Sequence, residues 1–260
     1  MISHTQLTDI KNWYTEFVKS FYTHDEDLNS NIKIKNDHTL RVCKEITDIG
    51  EYLQLTGEQM QTAEITALLH DVGRFEQLAK YETPVDIFSE DHAQLGVKII
   101  NDNNILKHFD EFTQEVIKCA IAHHNKMEIP SALPEEGAFY TRLLRDADKI
   151  DIWYVVTEYY KNKGGRKNEY IELGLPDIPE ISDEVCSDLL KESIVRTVNL
   201  RSLNDMKLLQ LGWIYDINFP RTFQIIKERQ YLGKIYNTLP HSDVVNKIYR
   251  KVEEYLSKKC

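Results

Sequence analysis

Apolar side chains return every third or fourth residue along most of the chain, the spacing that gives an amphipathic helix one buried face. The first such stretch covers 5–22, with Trp13, Phe17 and Phe21 on one side. A second covers 37–55 and stops before Gly57, and a third covers 58–73. Ser89 reads as the N-cap of a fourth that runs to 101, with Glu90 and Asp91 suiting its first turn. A fifth covers 109–124, ahead of Pro130. A long sixth covers 137–162 and ends at Gly164-Gly165. Three more cover 182–210, 220–236 and 241–257, with Pro220 and Pro240 near the starts of the last two. Between them, the polar and Asn-rich stretch 23–36 reads as a loop and 80–88 as irregular around Pro84. Residues 125–136 read as a loop with two prolines, and 163–180 as an exposed excursion. The expected fold class is all-α, a single-domain helical bundle.

Composition supports that expectation and narrows the partners. Ten Gly and seven Pro in 260 residues favour long helices over a turn-rich β fold. A net charge of −10 argues against a nucleic-acid polymer or an anionic membrane surface as partner. It leaves room for a small phosphorylated molecule, because a bound metal inverts the local sign of charge. Cys43, Cys119, Cys186 and Cys260 are widely separated and form no CxxC pair, as expected of a reduced, cytoplasmic chain. The N-terminus lacks a basic-then-apolar signal pattern, and no apolar run approaches the roughly 20 residues of a spanning helix.

The chemistry lies in where the histidines and aspartates point. At about 100° per residue, Ile65, Leu68, Leu69 and Val72 form one stripe of the third helix. Ala63, Ala67, His70, Asp71 and Arg74 form the other, where small residues let a neighbour approach. His38 lies one turn before the stripe Val42, Ile46, Ile49 and Leu53. His92 shares a face with Leu95, Gly96 and Ile99. His123 ends the stripe Phe112, Val116, Cys119 and Ala120, and Asp148 lies among Thr141, Leu144, Ile152 and Val155. A single inward His is usually a hydrogen-bonded core residue, and an inward Asp is rarer. Several together match imidazole-plus-carboxylate metal chemistry. His124 shares a second apolar stripe with Ile117 and Ile121, which suits a ligand, a substrate contact or a core residue. His4, His24, His108 and His241 read as surface residues. Asp146 reads as a surface or salt-bridge residue, and Asp151 as a support behind the site.

Taken in order, these residues resemble the HD-domain superfamily of metal-dependent phosphohydrolases. The words that carry the resemblance are "DHTLRV", "ALLHDVGRF", "SEDHAQLGV", "IAHHN" and "LLRDADKID", within 36–156. The resemblance implies a metal-binding core over 31–162, an N-terminal helical extension over 1–30 and a C-terminal helical extension over 163–260 packed on the core. It implies divalent metal ions, two of them, drawn from Mn, Fe, Co, Zn or Mg. His38, His70, Asp71 and Asp148 would hold the first. Asp71 would bridge to a second held also by His92 and His123, with His124 as a further candidate. A metal-bridging hydroxide would then be the nucleophile. Three departures bear on the substrate. Arg74 stands where the family often has Lys. His123-His124 is followed by Asn125-Lys126-Met127, unlike the "HHE" and Gly-Tyr-Pro stretch of the cyclic di-GMP phosphodiesterases. No sensor or synthetase domain accompanies the helices.

The resulting expectation is hydrolysis of a phosphoester or phosphoanhydride in a nucleotide-like substrate. Asp71 would be central to it. Arg74, one turn past His70, and Lys149 are candidates for neutralising phosphate charge, although Arg74 equally suits an ion pair at a helix end. The run Lys161, Lys163, Arg166 and Lys167 suits a phosphate-contacting lid or a solvated helix end. Two other classes use the same pocket: a mixed-valent di-iron oxygenase of the HD type, and a non-catalytic nucleotide-binding module.

Overall fold

A computed structural model describes residues 4–162 and 167–260, and all regular structure among them is helical. Lys163 and Arg166 of the basic run lie outside the described residues, while Lys161 and Lys167 are exposed. The chain divides into two compact units, Met1–Asp148 and Lys149–Cys260.

The first unit begins with α1 (His4–Lys19), which packs on α3 (Gly57–Leu69). Phe17 and Phe21 meet Phe75 of α4 (Val72–Tyr81), tying this helix to the unit rather than leaving it as an appendage. Between them runs α2 (Glu26–Tyr52), opened by Asp25, whose side chain accepts from Leu28 N. The expected loop over 23–36 is therefore mostly helix. Asn29, Asn31 and Asn36 are half-buried along α2, Asn36 accepting from the Tyr14 hydroxyl at 3.1 Å, and Ile32 is fully buried. α3 is opened by a capping box between Thr56 and Gln59 and packs on α2.

The expected helix over 58–73 is broken in two. α3 stops at Leu69, Asp71 leaves helical geometry at φ −109°, ψ 16°, and α4 restarts at Val72. A short 3-10 turn, Asp86–Phe88, leads to α5 (His92–Asp102). Asp91, not Ser89, is its cap, accepting from Ala93 N and Gln94 N. α4 and α5 cross at Gly73 and Gly96. A Cβ on Gly73 would lie 2.1 Å from the His92 carbonyl oxygen, so only glycine permits this approach. α6 (Glu111–His123) packs on α5 and α3, and α7 (Glu135–Lys161) runs through the division between the units.

In the second unit, α8 (Glu169–Glu172) and α9 (Asp183–Leu190) precede α10 (Leu203–Gly212). α11 (Pro220–Arg229), α12 (Tyr231–Tyr236) and α13 (Asp243–Lys259) complete it. The expected helices 182–210 and 220–236 are each split, the latter at Gln230, whose φ is 56°. Trp153 is the largest fully buried side chain and donates from Nε1 to Gln210 O at 2.9 Å. Asp205 accepts from Ser182 N, Ser182 Oγ and Arg201 N, joining the starts of α9 and α10. No described helix is long and apolar enough to cross a membrane.

Candidate metal centre

The break between α3 and α4 is what exposes the chemistry. A helix end leaves carbonyls without partners. His70, just past α3, donates from Nδ1 to Ala67 O at 2.7 Å. His124, just past α6, donates from Nδ1 to Ile121 O at 2.7 Å. Each bond satisfies an orphan carbonyl and fixes the tautomer, leaving Nε2 as a lone pair. His92, at the start of α5, donates from Nδ1 to Asp86 Oδ2 at 2.8 Å, with the same consequence for its Nε2.

These lone pairs converge. The ring centroids of His38 and His70 lie 5.4 Å apart, those of His70 and His124 5.2 Å, and those of His124 and His92 5.1 Å. All four imidazoles are buried. Asp71 stands among them with its two oxygens divided. Oδ2 lies 3.5 Å from His38 Nε2 and 3.4 Å from His70 Nε2. Oδ1 lies 3.4 Å from His92 Nε2 and 3.9 Å from His124 Nε2. Asp148, carried by α7, completes the first set, with Oδ1 3.1 Å from His38 Nε2 and 4.0 Å from His70 Nε2.

Electrostatics favour the ligand form of Asp71, Asp148, His92 and His124. Burial alone would raise the Asp71 carboxyl, but the Lys35 ammonium and the imidazoles of His70 and His92 hold it well below the usual carboxylate range. Asp148 is held low in the same way, with His38 outweighing its burial. Burial pushes His124 down to about 3, helped by His92 and His70, and burial with the nearby Arg74 lowers His92.

Two observations test whether a cation fits. His70 Nε2 is buried and makes no hydrogen bond. His92 Nε2 and His124 Nε2 face each other at 3.2 Å although both rings have committed their Nδ1 protons elsewhere. Their depressed basicity means that no proton fills that gap at neutral pH. Neutral imidazoles and carboxylates aimed at a common point suit divalent transition metals. The groups His38–His70–Asp71 and Asp71–His92–His124 are each compact enough for one ion.

The second set contains His124 where the sequence favoured His123. His123 is half-buried, and its Nδ1 meets the Cys119 carbonyl at 2.8 Å on a different face of α6. The stripe chosen for it is buried only in part: Val116 and Ala120 are buried but Phe112 is 63% exposed, whereas Ile117 and Ile121 are both fully buried. Asp146 is also fully buried rather than at the surface, and Asp151 is buried in the second unit. His24, His108 and His241 are exposed. The expectation for His4 concerns a side chain outside the described set.

Arg74 is clamped. Its guanidinium donates to Asp86 Oδ1 at 2.8 Å, to Gln77 Oε1 at 2.7 Å and to Pro84 O, and lies 3.8 Å from Asp71 Oδ1. Lys149 pairs with Asp216 at 2.7 Å within the second unit. Three further residues escaped the sequence reading. Lys35 donates to Asp71 Oδ2 at 2.7 Å. Asp86 fixes His92 and is itself held by Arg74, Gln77 and Asn125. Arg145, buried on α7, donates to the carbonyls of His124, Lys126 and Met127, so the helix that carries Asp148 also pins the end of α6. The spacing of Lys35 and Arg145, each one turn before a candidate ligand on the same helix, is the signal by which two of them are legible.

Compared with known proteins, residues 36–153 match the model of one family, described as the HD domain. No curated protein and no solved structure gives a match to the chain.

Proposed function

We propose, from the match of residues 36–153 to the HD-domain family, most of whose members are metal-dependent hydrolases, that this chain hydrolyses a phosphoester or phosphoanhydride of a nucleotide-like substrate. The observation that carries this reading is the division of Asp71, with Oδ2 toward His38 and His70 and Oδ1 toward His92 and His124. One carboxylate shared by two sets of imidazoles is the donor arrangement of a two-cation phosphoryl-transfer site.

Divalent cations held there would lower the pKa of a water molecule and offset the charge of phosphoryl oxygens. The protein's own part is to prepare the donors. His70 and His124 spend their Nδ1 protons on helix-end carbonyls, and His92 spends its proton on Asp86. Burial of the four imidazoles keeps bulk water away and strengthens every charge interaction inside. The side chain of Asp148 is 18% exposed, against 0% for His70, so the centre opens on the Asp148 side. An anion approaching from there meets a locally positive site despite the net charge of −10. Arg74 serves this site as the clamp on Asp86 and hence on His92.

The test is a screen of cyclic and linear nucleotides with protein reconstituted in Mn, Fe, Co or Mg, with bound metal measured in parallel. Phosphate release that needs bound metal and persists under anaerobic conditions is expected. Turnover that needs both iron and O₂ would replace the hydrolase with the oxygenase. Tight nucleotide binding without turnover in any metal would replace it with a binding module.

A further inference from the structure

Asp71 Oδ2 has a third neighbour besides the two imidazoles. Lys35 sits one turn before His38 on α2 and places Nζ 2.7 Å from that oxygen. An ammonium at this position supplies the positive charge that a buried carboxylate requires. Its side chain is 15% exposed, whereas those of His38, His70, His92 and His124 are between 0% and 5% exposed. Lys35 is therefore more accessible than any of the four imidazoles, to the same degree as Arg74 at 16%. Lysine carries a point charge on a flexible four-carbon stem, so Nζ can change partners without moving the helix. Arg74 is equally exposed but differs in this, because its rigid fork is held by Asp86, Gln77 and Pro84 together.

We propose that Lys35 is a further catalytic residue with two successive partners: Asp71 Oδ2 when the centre lacks divalent ions, and a phosphoryl oxygen of the substrate once those ions have taken the carboxylate. The inference rests on the hydrolase reading above. Its physical basis is competition. An ammonium and a divalent cation on one carboxylate oxygen repel each other at short range in a poorly screened site. Arrival of the ions weakens the hold on Lys35, and an anionic phosphoryl group offers the replacement. The device keeps Asp71 neutralised in the metal-free protein and delivers the same charge to the substrate afterwards.

The test uses Mn²⁺ alone and then inorganic phosphate, each measured by calorimetry on the full chain. Lys35→Met removes the competing charge and keeps the apolar stem. Mn²⁺ is expected to bind this variant about tenfold tighter than wild type, as follows from losing one charge-assisted hydrogen bond. Phosphate is expected to bind the Mn-loaded variant about tenfold more weakly, and Lys35→Arg is expected to recover most of that loss. A Lys35 that merely orients Asp71 gives the opposite sign, with Mn²⁺ binding weakened by about 10- to 100-fold. Weaker or unchanged Mn²⁺ binding overturns the proposal, and so does unchanged phosphate binding. If Lys35→Met folds only with Mn²⁺ present, it is prepared in Mn²⁺ and the phosphate measurement decides alone. Wild-type protein that binds no divalent ion would remove the hydrolase reading and this inference with it. Wild-type protein that binds Mn²⁺ and fails only the Lys35 comparisons leaves the hydrolase reading standing.

Discussion

Gly73→Ala is a one-methyl change whose sign reports on the geometry of the centre. In an ordinary helix the substitution stabilises, because alanine loses less backbone entropy, by about 1 kcal/mol. Gly73 is not in an ordinary place. A Cβ there meets the His92 carbonyl oxygen at 2.1 Å and Gly96 N at 2.7 Å, more than an ångström inside ordinary contact for the first. Both atoms are backbone, so no rotamer relieves the overlap, and α5 has to move as a body. Overpacking of this kind costs roughly 1–3 kcal/mol, and more where the backbone is rigid. The residue displaced first is His92, which opens α5 and faces Asp71 Oδ1 at 3.4 Å. Functional constellations tolerate about 0.5 Å. The variant should therefore lose about 1–3 kcal/mol in urea unfolding and drop from about two bound ions per chain to about one. His38, His70 and Asp148 approach Asp71 from other helices and should keep the first ion. Gly96→Ala is the control, since its Cβ would meet Gly73 N at 3.5 Å, an ordinary distance. If Gly73→Ala is as stable as wild type and binds the full complement of metal, the close crossing does not set the His92–Asp71 geometry.

Asp71→Ala removes the carboxylate whose two oxygens face both imidazole sets, and should abolish metal binding and turnover together; retained turnover in the metal-depleted variant would rule out the mechanism. Asp86→Ala leaves His92 Nδ1 and the Arg74 guanidinium without their shared acceptor, so binding of the second ion should weaken about 10- to 100-fold while the first is retained, as read by metal titration. At alkaline pH, burial pushes Tyr140 and Tyr249 up to about 12, and Cys43 up to about 12 as well. The unfolded chain releases these protons near their ordinary values, about 10 for Tyr and 8.5 for Cys, so stability is full below that range and falls as pH rises toward 12. Phenolate absorbance should therefore develop together with loss of helical circular dichroism, and Tyr140→Phe should move the alkaline midpoint upward; an unshifted midpoint would deny Tyr140 a share in it.

Periodicity points to the faces that bear His38 and His92, because their helices have one clear apolar stripe, whereas α3 and α7 are buried on nearly every side and a wheel says little about His70 and Asp148. Ile46 and Ile49 after His38, and Leu95 and Ile99 after His92, are all buried, and the wheel drawn through them points the right way. Lys35 was hidden by composition. Asn29, Asn31 and Asn36 made 23–36 look like a loop, so Lys35 was never placed one turn before His38. Asp86 was hidden for a different reason: no periodic rule fixes where a side chain in a 3-10 turn points, and its role depends on Arg74, Gln77 and Asn125 arriving from elsewhere.

The choice between His123 and His124 shows where such wheels lose their hold. Successive residues on a helix differ by about 100°, so the two cannot share a face, and the question is which stripe is inward. Phe112 and Cys119 vote for His123, while Ile117 and Ile121 vote for His124. Counting apolar residues does not separate them, and the aromatic ring tips the count the wrong way. The structure separates them by what lies opposite. α6 packs on α3 and α5; Ile117 and Ile121 are both fully buried, while on the other stripe Val116 and Ala120 are buried and Phe112 is left in solvent. Arg145 then fixes the last turn by taking the carbonyls of His124, Lys126 and Met127. A buried guanidinium committed to main-chain oxygens three residues before Asp148 links the position of His124 to that of Asp148 through α7. The centre's two sets of donors are thus set by contacts across the chain, and only the residues that supply them are local in sequence.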